Sequence, residues 1–426
     1  MDITLLDPTA PSWNARLDRV GALLNAHLNP NVFPYHFLQV VLPRLGGSIV
    51  EVRQDRAFLC AGFLFPRGLD AECPEAGTFG NCQARRQYTL RYHLLGEAAK
   101  DPALLAQITS ELRSRLQCAA VIAYDPAAPH SFRRSARCVG HAVIGRPDAA
   151  EAQHIRLMHQ QIWHSPSEYL YPADIHSTEF NLGTSLVARV EGNLAGFLFG
   201  FYKFGLKPLP ADWDAKLQSD LRLESQTLGI LSEYRGMRLA NLLKKAQAEH
   251  AVADGIDIVN WTADPLQYAN AALNFGLLRA VAFEFHADYY PFRNDLNRVP
   301  ASRFVITWIV RSDRVRNVPA LGSPALVLDL QHHPHIVRVN DGFSQVRWDA
   351  DAPFIAIEIP ADWTGLQRRS LDDALRWREV SDRLFQHYVG QGPGQYVITG
   401  VGVDHDRRFL IGEQVNDALW AHLSQF

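Results

Sequence analysis

Apolar and polar positions alternate most legibly between Leu223 and Trp261. Leu228 to Leu231 forms the apolar end of a strand, and Ser232-Glu233-Tyr234-Arg235-Gly236 then breaks the pattern. Leu239, Leu242, Leu243 and Ala246 follow at i, i+3, i+4 and i+7, which predicts one buried helical stripe. Asp254-Gly255 stops that helix, and Ile256 to Trp261 is an apolar run of strand length. A turn that enters a helix leaves backbone N–H groups unpaired at the positive end of the helix dipole, so it is suited to an anion such as a pyrophosphate.

The pattern before this stretch repeats itself. Ile3 to Leu6 reads as a strand, Trp13 to His27 and Phe33 to Leu45 as helices, and Ser48 to Val52 with Phe58 to Phe65 as a hairpin. A loop from Arg67 to Ala84 leads to a strand (Tyr88 to Leu95), a helix (Pro102 to Leu116) and a strand (Ala119 to Tyr124) closed by Asp125-Pro126. The order then recurs. Val143 to Arg146 precedes a helix from Ala150 to Trp163 and an aromatic, irregular stretch. A hairpin (Leu186 to Val190, Leu194 to Tyr202) turns at Glu191-Gly192-Asn193, and the strand–helix–strand above ends in Asp264-Pro265. Ala-Gly-Phe-Leu-Phe occupies 61–65 in the first half and 195–199 in the second, in matching elements, which argues for an internal duplication.

The copies differ between strand and helix. Leu95 to Asp101 in the first copy carries Glu97 and Asp101, acids that repel a pyrophosphate, so this copy reads as structural. Beyond Val310 come a charged stretch (Arg311 to Arg316), a linker (Pro319 to Pro324), and strands at Ala325 to Leu328, Ile336 to Val339, Phe354 to Ile359, Tyr396 to Val401 and Arg408 to Ile411. A helix from Leu371 to Tyr388 lies between the third and fourth of these strands. Three segments follow: 1–137, 138–318, and a tail 319–426 expected to supply elements missing from the first.

Arg235-Gly236-Met237-Arg238-Leu239-Ala240 resembles the Gln/Arg-x-x-Gly-x-Gly/Ala signature of the GNAT acyltransferases, whose loop cradles the pyrophosphate of acetyl-CoA. Residues 225–310 are also similar to a bacterial group of GNAT acetyltransferases, about a fifth of the chain. Arg238 stands where that family usually has Gly, and Arg279 where a Leu-Gly pair usually closes the next helix. The resemblance implies an α/β (α+β) fold of tandem GNAT-like units, each a mixed, mostly antiparallel sheet flanked by helices. It implies an N-acetyltransferase that uses acetyl-CoA or another acyl-CoA, without a metal, by direct transfer to a small-molecule or peptide amine in a ternary complex.

It also implies residues. The amides around Leu228, Gly229 and Ile230 would polarise the thioester carbonyl, while Arg235, Gly236, Met237, Arg238, Leu239 and Ala240 would hold the pyrophosphate. Asn270 would contact the pantetheine arm; Asn274 lies one turn on, on the same face. Glu224 is the implied base, with a solvated charge at a strand end as the other reading. Tyr289 is the implied acid for the leaving thiolate, with a buried aromatic pair formed with Tyr290 as the other reading. Trp163, Tyr169, Tyr171, Phe180, Phe201 and Tyr202 would line the acceptor pocket, and core packing explains them equally well. The rival from another class is a non-catalytic acyl-CoA-binding or scaffold protein with a degenerate fold, favoured by Arg238 and Arg279.

Composition adds exclusions. With 426 residues, 47% hydrophobic and 20% charged, the chain suits two or three globular domains. A net charge of −3 gives no general attraction to nucleic acid or an anionic membrane. No stretch has the length of a membrane span, no signal peptide is read, and the five cysteines form no CxxC pair, which together point to a cytoplasmic protein with reduced thiols. His332, His333 and His335 read as a surface loop, and the mixed charges of Leu371 to Tyr388 as a solvated face.

Overall fold

The computed structural model describes residues 1–26, 28–71, 82–96, 102–207, 209–210, 213–290, 298–319 and 326–426. The fold is mixed α/β, sheets flanked by helices, and the chain divides into two compact units: Met1–Pro208 with Leu217–Ile256, and Leu209–Lys216 with Asp257–Phe426. This division differs from the three sequence segments, because it cuts the central segment immediately after its loop helix.

The first unit holds ten strands: β1 (Asp2–Leu5), β2 (Ser48–Gln54), β3 (Ala57–Leu69), β4 (Arg86–Leu94), β5 (Ala120–Tyr124), β6 (Arg137–Val139), β7 (Ala142–Gly145), β8 (Gly183–Val190), β9 (Asn193–Phe204) and β10 (Leu221–Ile230). Its main helices are α1 (Trp13–Leu23), α2 (Pro102–Leu116), α3 (Ala149–Trp163) and α4 (Leu239–Ala253). Strands β1 to β5 form one sheet in sequence order, and β6 to β10 run in sequence order along another. The two hairpins match in detail. Both hairpins turn on two successive left-handed residues, Asp55 and Arg56 (φ 50° and 75°) and Glu191 and Gly192 (φ 51° and 84°). Such turns match the right-handed twist of the flanking strands. Each then feeds an Ala-Gly-Phe-Leu-Phe strand, β3 or β9, that pairs on both sides.

Phe63 and Phe65 of β3 and Phe197, Phe199 and Phe201 of β9 meet in one core with Phe33, Phe37, Tyr171 and Phe180. Phe33 and Phe37 stack at 4.8 Å, and Phe65 lies 4.9 Å from Phe33. Each such ring, fully buried, contributes about 1.5–3 kcal/mol. Helix α3 starts on a capping box, Asp148 accepting from the Glu151 N–H and Glu151 from the Asp148 N–H, and Arg189 secures Glu151 at 2.6 Å. The expected Phe33–Leu45 helix is instead a π-turn, Phe37–Val41, running into Leu42–Leu45 with Pro43 in its first turn. Proline has no N–H to give, so a regular α ladder cannot run through it. Glu97 to Asp101, on which the first copy's structural reading rests, lie outside the described residues, as do 72–81 of the expected loop and 320–325 of the expected linker.

The second unit contains β11 (Ile258–Ala263), β12 (Val281–Tyr290), β13 (Ala301–Ile309), β14 (Phe354–Ile359), β15 (Tyr396–Asp404) and β16 (Arg407–Gln414), with α5 (Trp363–Arg369), α6 (Leu371–Tyr388) and α7 (Asp417–Leu423). Its strand order is β14-β16-β15-β12-β13-β11. Within this path β11-β13-β12 and β14-β16-β15 are the same three-strand arrangement, in which the third strand in sequence inserts between the other two. The tail's strands therefore carry their own repeat, and β15 pairs with β12 at Ile398 and Ala282. The expected strands at Ala325–Leu328 and Ile336–Val339 shrink to two-residue bridges, Leu328–Asp329 and Val337–Arg338. Helix α6 is not uniformly solvated. Arg378 is 2% exposed and donates to both carboxylate oxygens of Asp264 at 2.9 and 2.7 Å, while its guanidinium lies over Trp363.

Candidate functional site

Strand β10 carries the first unit's irregularity. It pairs antiparallel with β9 from Leu221 to Ile230, and the register shifts between Ser225 and Thr227. A bulge re-aims the side chains beside it. Ser225 accepts a hydrogen bond at 2.8 Å from Nζ of Lys244 on α4, whereas Gln226 donates through Nε2 to the Tyr171 hydroxyl at 2.8 Å. Beyond the bulge, Gly229 is buried opposite Phe197. A Cβ there would meet Phe197 at 2.8 Å and Ile162 and Trp163 at 2.9 Å. The absence of a side chain lets the Trp163 indole lie against the strand backbone at the centre of the Leu228–Gly229–Ile230 segment.

The loop after β10 is a 3-10 turn, Ser232–Tyr234, followed by Gly236 at φ +84° and Arg238 at φ +58°. Arg238 is the cap of α4, in a left-handed conformation and without a side-chain capping bond. The first N–H groups of α4 have no intrahelical acceptor, so this end keeps the donors and the positive dipole expected of an anion site. Arg235, Gly236 and Arg238 are exposed, Met237 and Ala240 are half-buried, and Leu239 is buried in the α4 stripe with Leu243 and Ala246.

Glu224 is not a solvated charge at a strand end. Its carboxylate is 12% exposed and takes the Lys203 ammonium at 3.0 Å. Behind it, Asn241, Lys244 and Gln247 form a second, polar stripe on α4, all under 9% exposed. Burial pushes the Lys244 ammonium well below the usual lysine range, and the Glu224 charge opposes that shift. Sequence reading missed Lys244 and Gln226. The i, i+3, i+6 spacing of Asn241, Lys244 and Gln247 beside the apolar stripe was the available signal; for Gln226 there was none.

The aromatic lining is resolved in favour of packing for four of its six members. Phe180 and Phe201 are each 1% exposed, Tyr171 6% and Tyr202 8%, the last donating its hydroxyl to Asp254 at 3.0 Å. Trp163 and Tyr169 remain partly open. They stand with two histidines, His159 lying 4.6 Å from Trp163 and 6.2 Å from Tyr171, and His36 5.9 Å from Tyr169. Burial lowers both imidazoles to about 4.

Asn270 and Tyr289 belong to the second unit. Asn270 is exposed in the short helix Tyr268–Ala271, whereas Asn274 is 4% exposed in the π-turn Ala272–Leu277. The two asparagines differ in exposure because the wider turn between them changes the facing that an α-helical spacing of four would give. Arg279 closes this segment in a left-handed conformation at φ +59°, the geometry for which Gly is the usual residue. Tyr289 sits on β12, half-buried, its ring perpendicular to Tyr290 at 4.5 Å and 5.7 Å from His286. Among the described residues no group of His, Cys, Asp or Glu is arranged to hold a metal, and no helix is long and apolar enough to cross a membrane. Cys60 and Cys118 are buried free thiols, and Cys138 is an exposed one.

No family model matches the sequence, and no curated protein matches it. Solved structures resemble part of it. Diaminobutyrate acetyltransferase EctA from Paenibacillus lautus, with its substrate and coenzyme A, is 16% identical over 40% of this chain and 97% of that one, with a TM-score of 0.30. Ard1 from Thermoplasma volcanium is 11% identical over 39% and 96%, TM-score 0.28. The NatC complex bound to Gag peptide and CoA is 16% identical over 40% and 98%, TM-score 0.30.

Proposed function

We propose that the chain is an acyl-CoA-dependent N-acyltransferase of the GNAT type that transfers an acyl group, acetyl in the simplest case, to an amine. The observation that carries the reading is the run from the β10 bulge to α4: a strand interrupted beside a side-chain-free Gly229, then an uncapped helix start flanked by exposed Arg235 and Arg238. Gly236 to Ala240 would hold the pyrophosphate, with the two guanidiniums adding charge-assisted contacts. The amides of Leu228 to Ile230 would polarise the thioester carbonyl. The amine attacks that carbonyl directly, the C–S bond breaks, and the thiolate takes up the proton that the amine sheds.

Glu224 as base is the weakest member of this set. Accepting a proton would break its contact with Lys203 and leave that cation half-buried without its partner. The same contact favours the second reading, a protein that binds acyl-CoA without turning it over. Calorimetric titration of acetyl-CoA into the wild type and Ala240→Asp tests the proposal. Micromolar binding that weakens at least about tenfold in the variant supports the loop as the pyrophosphate site; no binding of acetyl-CoA or longer acyl-CoAs to the wild type overturns it. Thiol release across an amine panel then separates enzyme from binder.

A further inference from the structure

The partly open cluster beside β10 says which amine would be accepted, if the acyl-transfer reading holds. His36, His159, Trp163, Tyr169, Tyr171 and Gln226 come from three parts of the first unit and are all uncharged at neutral pH. They adjoin the strand directly, through the Gln226 to Tyr171 hydrogen bond at 2.8 Å and through Trp163 against Gly229. The buried charged groups nearest them are already engaged, and exposed Glu168 beside Tyr169 takes only the Ser167 hydroxyl. Glu224 takes Lys203 at 3.0 Å, Arg156 donates to the carbonyls of Tyr171 (2.7 Å) and Pro30 (3.2 Å), and Asp174 is held bidentate by Arg91. Nδ1 of His159 is buried with no hydrogen-bond partner among the described residues.

An alkylammonium entering this cluster would lose its hydration, and the buried carboxylates Glu224 and Asp174 are already paired with Lys203 and Arg91, so its burial is costly. It would also need a base to become nucleophilic, and imidazoles held near 4 by burial are poor bases for an alkylammonium. An aromatic amine avoids both costs. Its lone pair is delocalised into the ring, so it is uncharged at neutral pH, and its ring can stack on indole and imidazole faces. We propose that the acceptor is an aromatic amine seated against Trp163, His159 and Tyr169, its nitrogen beside the bulge of β10. The nitrogen lone pair forms the bond to the thioester carbonyl carbon, and the C–S bond breaks. The proton shed by the strongly acidic N-protonated adduct ends on the thiolate, giving an anilide and CoA thiol, with no separate strong base required.

The test measures thiol release by the full chain with acetyl-CoA and three acceptors: 4-methoxyaniline, benzylamine, and a short peptide with a free N-terminus. Expected is a kcat/KM for 4-methoxyaniline above benzylamine by at least about a hundredfold, the two differing in the ring methoxy group, the methylene beside the nitrogen and the charge. Tyr169→Ala, at an exposed position, should raise the KM for the aniline about tenfold without changing acetyl-CoA affinity, and Trp163→Ala should do so more strongly. A preference for benzylamine or the peptide overturns the inference and leaves the acyltransferase reading standing. So does an aniline KM untouched by Tyr169→Ala in a folded protein. Failure of acetyl-CoA to bind at all overturns the acyltransferase reading, and this inference with it.

Discussion

The two repeats of the first unit share a hairpin and part at the strand after it. Register makes the comparison exact to a residue. Phe63 of β3 faces Arg91 of β4, and Phe197, the matching residue of β9, faces Gly229 of β10. In the first copy this position holds a fully buried guanidinium, bonded to both oxygens of Asp174 and to the Asn31 carbonyl. In the second it holds no side chain, and Trp163 reaches the backbone. Two similar hairpin strands thus face different neighbours, one a charged strut and the other a bare position beside a bulge.

The comparison breaks most sharply at Arg91. Arg91→Met leaves Asp174 without its cation, and removing one partner of a buried pair costs about 3–5 kcal/mol. Urea unfolding should show this loss, while acetyl-CoA affinity of the folded protein stays unchanged. The opposite change, Gly229→Ala, places a methyl within 3 Å of Phe197, Ile162 and Trp163. Overpacking of this kind costs about 1–3 kcal/mol, and here the acyl-transfer rate should fall further than stability does. If Gly229→Ala leaves turnover intact, the bare strand is a packing feature only.

Acid sharpens the comparison next. His93 of the first copy and His36 and His159 beside the second are each lowered to about 4, mainly by burial, from an ordinary 6.5. The unfolded chain therefore binds more protons between these values, so their contribution is complete above 6.5 and drains away as pH falls toward 4. Each should contribute a loss on the order of 1 kcal/mol between pH 6.5 and 5.5, visible as a falling melting temperature. The smallest effect is at the loop. Arg238→Gly relieves a left-handed arginine and should stabilise by roughly 1 kcal/mol. Whether acetyl-CoA then binds more tightly decides if the Arg238 charge assists the anion or merely caps the helix.

Periodicity made most elements of both halves legible, and the repeated pentapeptide marked two matching hairpin strands. What it hid follows from physics that a linear pattern does not carry. The β10 bulge leaves Gln226 without an opposite residue in the register, and no apolar spacing marks it. Lys244 looks solvent-facing until the polar stripe of α4 is seen to be buried against Ser225. Arg378 hides in a helix whose charges alternate in sign, although only this one meets Asp264. The loop itself was readable because its conformation depends on local residues. The acceptor lining was only partly so, since aromatic rings serve a core and a pocket alike.

The twin hairpins carry a consequence for how the chain reaches its fold. Tight two-residue turns close within microseconds, long before distant strands meet. The chain therefore makes two similar ribbons early, each carrying Ala-Gly-Phe-Leu-Phe within its second strand. Strand partners of equal sequence invite exchange, the common failure of repeated units. The register shifts, at Val52/Arg53 in one ribbon and Ala188/Arg189 in the other, fall at the same distance from the two turns and so do not tell the ribbons apart. Refolding from denaturant should accordingly pass through a slow, swapped population that a mutated copy of either pentapeptide would remove.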